Sequence, residues 1–226
     1  MDPRRLPAAV LAAAGDRQGG AAEVAARAVD GLLEVAGDPP LLEEAVAVLE
    51  AGQPAMAPIW HLARAARAPD PASALAALRR SLVTDADAAV TAATAWLLHR
   101  LAGDPGPVAT VSHSSLVDRV LAAAGRSAPL ADAGGAAPVV GVVGADAVGP
   151  AALLNAVGTR ELAARLPTLV VATAVKLVPA AVFDRLGGPG FEVVPLGELA
   201  AVVVGGEVLS PAEAGRWAAV VSRSRP

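Results

Sequence analysis

Cysteine is missing from all 226 residues, and aromatic side chains make up only 2% of them. Without cysteine there is no disulfide, no thiolate metal ligand and no thiol nucleophile, and a reducing compartment is permitted. A core so poor in aromatics must be packed from small and branched side chains, and the abundance of alanine favours closely spaced helices. No block of basic residues stands out either. Eighteen Lys and Arg against 22 Asp and Glu leave a dispersed net charge of -4, so direct nucleic-acid binding is not expected. No apolar run reaches the roughly 18 uncharged residues of a membrane span. The best stretch, Leu169 to Phe183, is interrupted by Lys176 and Pro179. His61 and His99 stand beside Trp60 and Trp96 without a helical partner at ligand spacing, so they read as packing or surface residues and no metal is expected. Gly141 and Gly144 do not form the dinucleotide-binding glycine pattern, and no cofactor is expected.

What is present is 54% hydrophobic, enough for a substantial core. The opening MDPRRLPAAVLAAAGD has the outline of a short signal peptide, with Arg4 and Arg5 ahead of an apolar run. Pro7 at the head of that run, and the amphipathic segment that follows, make a first folded helix the better expectation. Val24, Ala28, Leu32 and Val35 repeat at helical spacing within Ala21 to Ala36, and Leu41 to Leu49 repeats the pattern. Proline and glycine punctuate the gaps, and a longer helix is expected from Asp85 to Leu101 with Thr84 as its N-cap. Beyond Asp104-Pro105-Gly106-Pro107 the character changes. Val108 to Val111, Val139 to Val143, Leu169 to Thr173, Val193 to Val194 and Ala201 to Val204 are short β-branched runs separated by helical segments. That alternation predicts an α/β architecture: a helical bundle over residues 1–103 and a Rossmann-like, mostly parallel sheet domain over 104–226. Gly125 to Pro138 reads as a loop of small residues.

The segment Val140 to Lys176 carries most of the chemistry. Asp146 follows the strand ending at Val143, the end at which open α/β sheets bind ligands. Asn155, Gly158 and Thr159 are expected at a helix start, where free amides suit a phosphate, and Lys176 after the next strand could add a cation. Each has a plainer reading: an Asp after a strand is often a turn residue, and Ser114 and Ser115 serve as readily to cap a helix as to bind an anion.

Several motifs, in order, resemble one family. GAD at Gly144 to Asp146, NAVGT at Asn155 to Thr159 and VATAVKLVP at Val171 to Pro179 are accompanied by TVSHSSLVDRVL at Thr110 to Leu121, GQPAMAPIWHLA at Gly52 to Ala63, DRQGGAAEVA at Asp16 to Ala25 and GELAAVVVGGEVLSP at Gly197 to Pro211. Together they resemble the family that unites the alpha, beta and delta regulatory subunits of initiation factor 2B with the aldose-1-phosphate isomerases, acting on ribose 1,5-bisphosphate or methylthioribose 1-phosphate. The resemblance implies a cytoplasmic protein of the translation-initiation or isomerase type, paired with itself or with a related subunit. It also implies a phosphosugar or nucleotide ligand contacted by Gly20, Ala21, Ser114, Asn155, Gly158, Thr159 and Lys176.

The departures matter as much as the likeness. The family's isomerases use a cysteine with the GAD aspartate as an acid/base pair, and the cysteine position is Ser112 here. A thiol with reference pKa near 8.5 exchanges protons around neutrality, whereas an unassisted serine hydroxyl does not. His113 adjoins Ser112, but neighbouring side chains point apart, which argues against a dyad. Gln53, Gly19 and Ala156 stand where the family carries an arginine, an arginine and a lysine, and a strand-helix unit before the GAD strand is shortened to a loop. The expectation is therefore a non-catalytic, initiation factor 2B-like protein that retains a ligand pocket. Two alternatives stand beside it: an isomerase using Asp146 with a non-cysteine acid, and an interaction module without a ligand.

Overall fold

The computed structural model describes residues 5–17, 19–127 and 137–221, so the first four residues and most of the small-residue loop lie outside it. Five helices come first: α1 (Ala8–Gly15), α2 (Ala21–Glu34), α3 (Pro39–Gly52), α4 (Ala57–Ala66) and α5 (Pro71–Gly103). The starts of α3 and α5 share one device. Asp38 and Asp70 accept from the amides of Leu41 and Ser73, while proline occupies the first helical turn, where its missing N–H costs nothing. Val10, Val24, Leu32, Leu49, Leu62 and Leu75 fill the core among these helices.

Helix α5 corrects one expectation. It runs unbroken for 33 residues from its Asp70 cap, and Thr84 lies inside it, with its hydroxyl directed at the carbonyls of Arg80 and Ser81. The Ala- and Leu-rich stretch before Thr84 contains no breaker, and a threonine hydroxyl satisfied within the helix does not end it. The same helix serves two cores: Leu75 belongs to the helical one, and Ala93, Leu97 and Leu101 pack under the sheet.

That sheet has the order β1 (Val108–Ala109), β2 (Val140–Val143), β5 (Thr168–Ala172), β7 (Ala201–Val204), β8 (Glu207–Leu209). All neighbours are parallel except β7 and β8. Alternate residues face opposite layers. Val140, Val142, Leu169, Val171 and Val203 meet α5 and α6 (Ser115–Ala123), whereas Val143, Val170, Ala172 and Val202 share a core with residues of α7 (Thr159–Arg165) and α9 (Pro211–Val220). Both faces being covered, the central strands β2, β5 and β7 are apolar apart from Thr168, as a buried parallel sheet requires. A short helix, α8 (Ala180–Phe183), follows β5 after a 3-10 turn at Ala174–Lys176.

Three further strands form a separate antiparallel sheet, β3 (Ala147–Val148), β4 (Ala152–Ala156) and β6 (Phe191–Pro195), in the order β3-β4-β6. The run at Val193 to Val194 therefore joins this sheet and not the parallel one. Asn155, expected at a helix start, lies within β4, opposite Glu192.

Candidate functional site

Beside Asn155 of β4, four further stretches of chain meet beyond the carboxyl ends of β1, β2 and β5. The first is the start of α6, where Ser114 is the N-cap residue but makes no side-chain bond to its own helix. Gly144, after β2, permits that approach, because a Cβ there would stand 2.9 Å from the Ser114 Oγ. The second is Gly144-Ala145-Asp146 itself. The Asp146 main chain is held on both sides, its N–H donating to Leu154 at 3.0 Å and its carbonyl accepting from Ala57 at 3.3 Å. The third is the 3-10 turn after β5, which ends on Lys176. The fourth is the link between α1 and α2, at Gly20 and Ala21.

Gly20, Ala21, Ser114, Asp146, Asn155 and Lys176 line a cavity of about 60 Å³. Through Gly20, Ala21, His113 and Asp146 it adjoins a wider chamber of about 580 Å³ on the side of the helices, whose walls include Arg17, Gln53, Met56, Ser112 and Phe191. Lys176 is only 4% exposed, and its ammonium makes no hydrogen bond or ion pair among the described residues. Burial drives its pKa down to about 8, with Asp146 pulling the other way. Burial raises the Asp146 carboxyl, and Lys176 opposes that shift. The two charges thus sense one another without ion-pair contact.

Not every expected residue reaches this place. Thr159 is fully buried; its hydroxyl donates to the Ala156 carbonyl at 2.7 Å and accepts from the Asn155 amide at 2.9 Å. Gly158, at φ +100°, makes the left-handed step from β4 into α7, a conformation that favours glycine. Neither residue lines the cavity or the chamber. The amino end of α7, expected to receive a phosphate, is occupied by a carboxylate of the protein itself: Glu192 accepts from the Arg160 amide at 2.8 Å. Gln53 is turned into the helices, where its amide donates to the carbonyls of Ala13 at 2.8 Å and Asp16 at 2.6 Å.

One residue that reads as simple packing in the sequence does more. The His61 Nε2 donates to the Leu177 carbonyl at 2.8 Å, next to Lys176, and Ala57, one turn earlier on α4, donates to Asp146. A single face of α4 therefore braces both turns that carry the charged pair. Nothing in the sequence around Trp60-His61 signals this, because the partners are main-chain carbonyls more than eighty residues away. Among the described residues no three His, Asp or Glu side chains gather to hold a metal ion, and no helix is long and apolar enough to cross a membrane.

Neither a profile of a known protein family nor a curated protein matches the sequence. Solved structures do match. The Pyrococcus horikoshii translation initiation factor eIF-2B superposes with a TM-score of 0.71 at 15% identity, over 91% of this chain and 96% of that one. A chain of the tetrameric eIF2B-beta2-delta2 complex from Chaetomium thermophilum gives 0.69 at 15% identity, over 95% and 92%. The 5-methylthioribose 1-phosphate isomerase from Pyrococcus horikoshii gives 0.57 at 14% identity, over 92% and 85%. The protein has the fold shared by initiation factor 2B subunits and methylthioribose-1-phosphate isomerase; at these identities the likeness is one of fold.

Proposed function

We propose that this chain is an initiation factor 2B-like ligand-binding protein that holds a phosphosugar or nucleotide in the cavity at the sheet's carboxyl edge and does not isomerise it. The observation that carries the reading is the convergence of two anion-seeking features on one cavity. The start of α6 opens there without a side-chain cap, and Lys176, buried and without a partner among the described residues, lies among the same lining residues. A buried ammonium without a partner costs stability, and an anionic ligand would offset that cost. Ser112 at the cysteine position of the isomerases, and the engagement of Gln53 inside the helices, argue against turnover. A regulatory role in the cytoplasm, paired with a second copy or a related subunit, fits the tetrameric beta2-delta2 complex among its structural neighbours.

The raised pKa of Asp146 favours a second reading, an isomerase in which that carboxyl moves the proton. Calorimetric titration of ribose 1,5-bisphosphate and methylthioribose 1-phosphate into the protein and into Lys176→Met separates the cases. Saturable heat lost in the variant, with no ketose product, supports the first reading. Ketose formation abolished by Asp146→Asn establishes the second.

A further inference from the structure

Seventeen arginines and one lysine make up the basic residues of the whole sequence, and the lysine is Lys176. Arginine stays charged at any physiological pH, whereas an amine can shed its proton when buried, so the two are not exchangeable where neutral nitrogen is needed. The only side-chain amine in the sequence is therefore buried, without a partner among the described residues, and its residue lines a cavity. Asp146 lines the same cavity and makes no ion pair with Lys176.

We propose that Lys176 is a carbonyl-capturing amine, forming a Schiff base with the aldehyde or ketone carbon of a short, open-chain, sugar-like compound, with Asp146 as the proton donor. The Nζ lone pair adds to the carbonyl carbon while the C=O π pair moves onto oxygen. One Nζ proton passes to that oxygen, giving the carbinolamine. The Asp146 carboxylic acid then protonates the hydroxyl, the C–O bond breaks, and water leaves. The products are an iminium on Lys176 and a carboxylate on Asp146, one charge of each sign, with no oxidant or reductant consumed. Both shifts run in the direction these steps need: burial lowers the Lys176 pKa to about 8, which frees a minor amine fraction near neutrality, and raises the Asp146 carboxyl against the pull of Lys176. The cavity of about 60 Å³ admits a carbonyl group and little more, so the rest of the compound would extend into the adjoining chamber of about 580 Å³.

This inference rests on the cavity being a ligand site but not on the ligand's charge, so an uncharged probe tests it. The full chain is incubated with glycolaldehyde and cyanoborohydride, which reduces an iminium to a stable secondary amine, and the adduct is mapped by mass spectrometry. The α-amino group is the one competing amine in the sequence, so assignment is direct. The expected result is labelling of Lys176 on the order of tenfold faster at pH 7 than that of acetylated free lysine. Its rate should titrate near pH 8, and it should be slowed several-fold in Asp146→Asn. Labelling confined to the α-amine in the folded protein, or a Lys176 rate that follows an ordinary lysine titration, overturns the proposal. Capture of glycolaldehyde with no affinity for phosphosugars would leave this inference standing and remove the phosphosugar reading; the reverse result would do the opposite.

Discussion

The imidazole of His61 and the carbonyl of Leu177 are joined by a 2.8 Å hydrogen bond that ties α4 to the turn carrying Lys176. Because a carbonyl only accepts, Nε2 must hold the proton. Burial lowers the His61 pKa to about 4, against its ordinary 6.5.

A pH dependence follows from that shift. The folded state binds the His61 proton less tightly than the unfolded chain, so the stability linked to this group is full above pH 6.5 and is lost as the pH falls towards about 4. Urea midpoints for the native protein should fall through this window by an extra amount equivalent to about 1–3 kcal/mol relative to His61→Gln, which has no proton to take up. Parallel curves for the two proteins would refute the assignment.

Lys176 behaves with the same sign in a different window. Its folded pKa of about 8 lies below the ordinary 10.5, so between these values the unfolded chain carries more protons and stability rises with pH. Below pH 8 both states are protonated and the cost of burying the ammonium is felt in full. Lys176→Met should therefore be more stable than the native protein at pH 7, by about 1–3 kcal/mol, while its stability stays flat from pH 8 to 10.5. Thermal or urea unfolding across that range checks both parts. A destabilised variant would mean that the ammonium has a partner in solution.

Gln53 supports the loop that closes the site. Its amide satisfies carbonyls at the end of α1 and at Asp16, whose own side chain accepts from the Gly19 amide at 2.7 Å and pairs with Arg27 at 2.8 Å. Gln53→Leu removes the inner donor from those carbonyls and leaves them only the long 3.4 Å bond from the Asp16 N–H and the exposed Arg17 guanidinium, and a loss of about 1–3 kcal/mol is expected. Hydrogen exchange at Gly19 and Gly20 should speed up in the variant; unchanged exchange would show that the loop is held by Asp16 alone.

The strands are legible in the sequence where their composition is unambiguous. Val140–Val143, Thr168–Ala172 and Ala201–Val204 are rich in β-branched residues and, Thr168 apart, apolar on both faces, which leaves a buried parallel strand as the natural outcome. Ala152–Ala156 is not legible, because its sequence, ALLNA, contains no β-branched residue and reads as readily as helix; pairing with β6 decides its state. Thr84 misleads for a related reason, since capping residues are common inside helices when their hydroxyls bond backwards. In the candidate site, Asp146 and Lys176 both follow parallel strands that are neighbours in the sheet, and that placement alone brings them close. The filling of the amino end of α7 depends on Glu192, the brace depends on His61, and both act through main-chain groups distant in sequence. Such contacts leave no periodicity to read.

Binding without conversion is decided by phosphorus NMR of ribose 1,5-bisphosphate, recorded with increasing protein and again with Lys176→Met. A saturable shift or broadening of the substrate resonances that disappears in the variant is expected, with no ketose bisphosphate signal at any time. Resonances indifferent to the native protein, or the appearance of the ketose product, would contradict a pocket that holds its ligand unchanged.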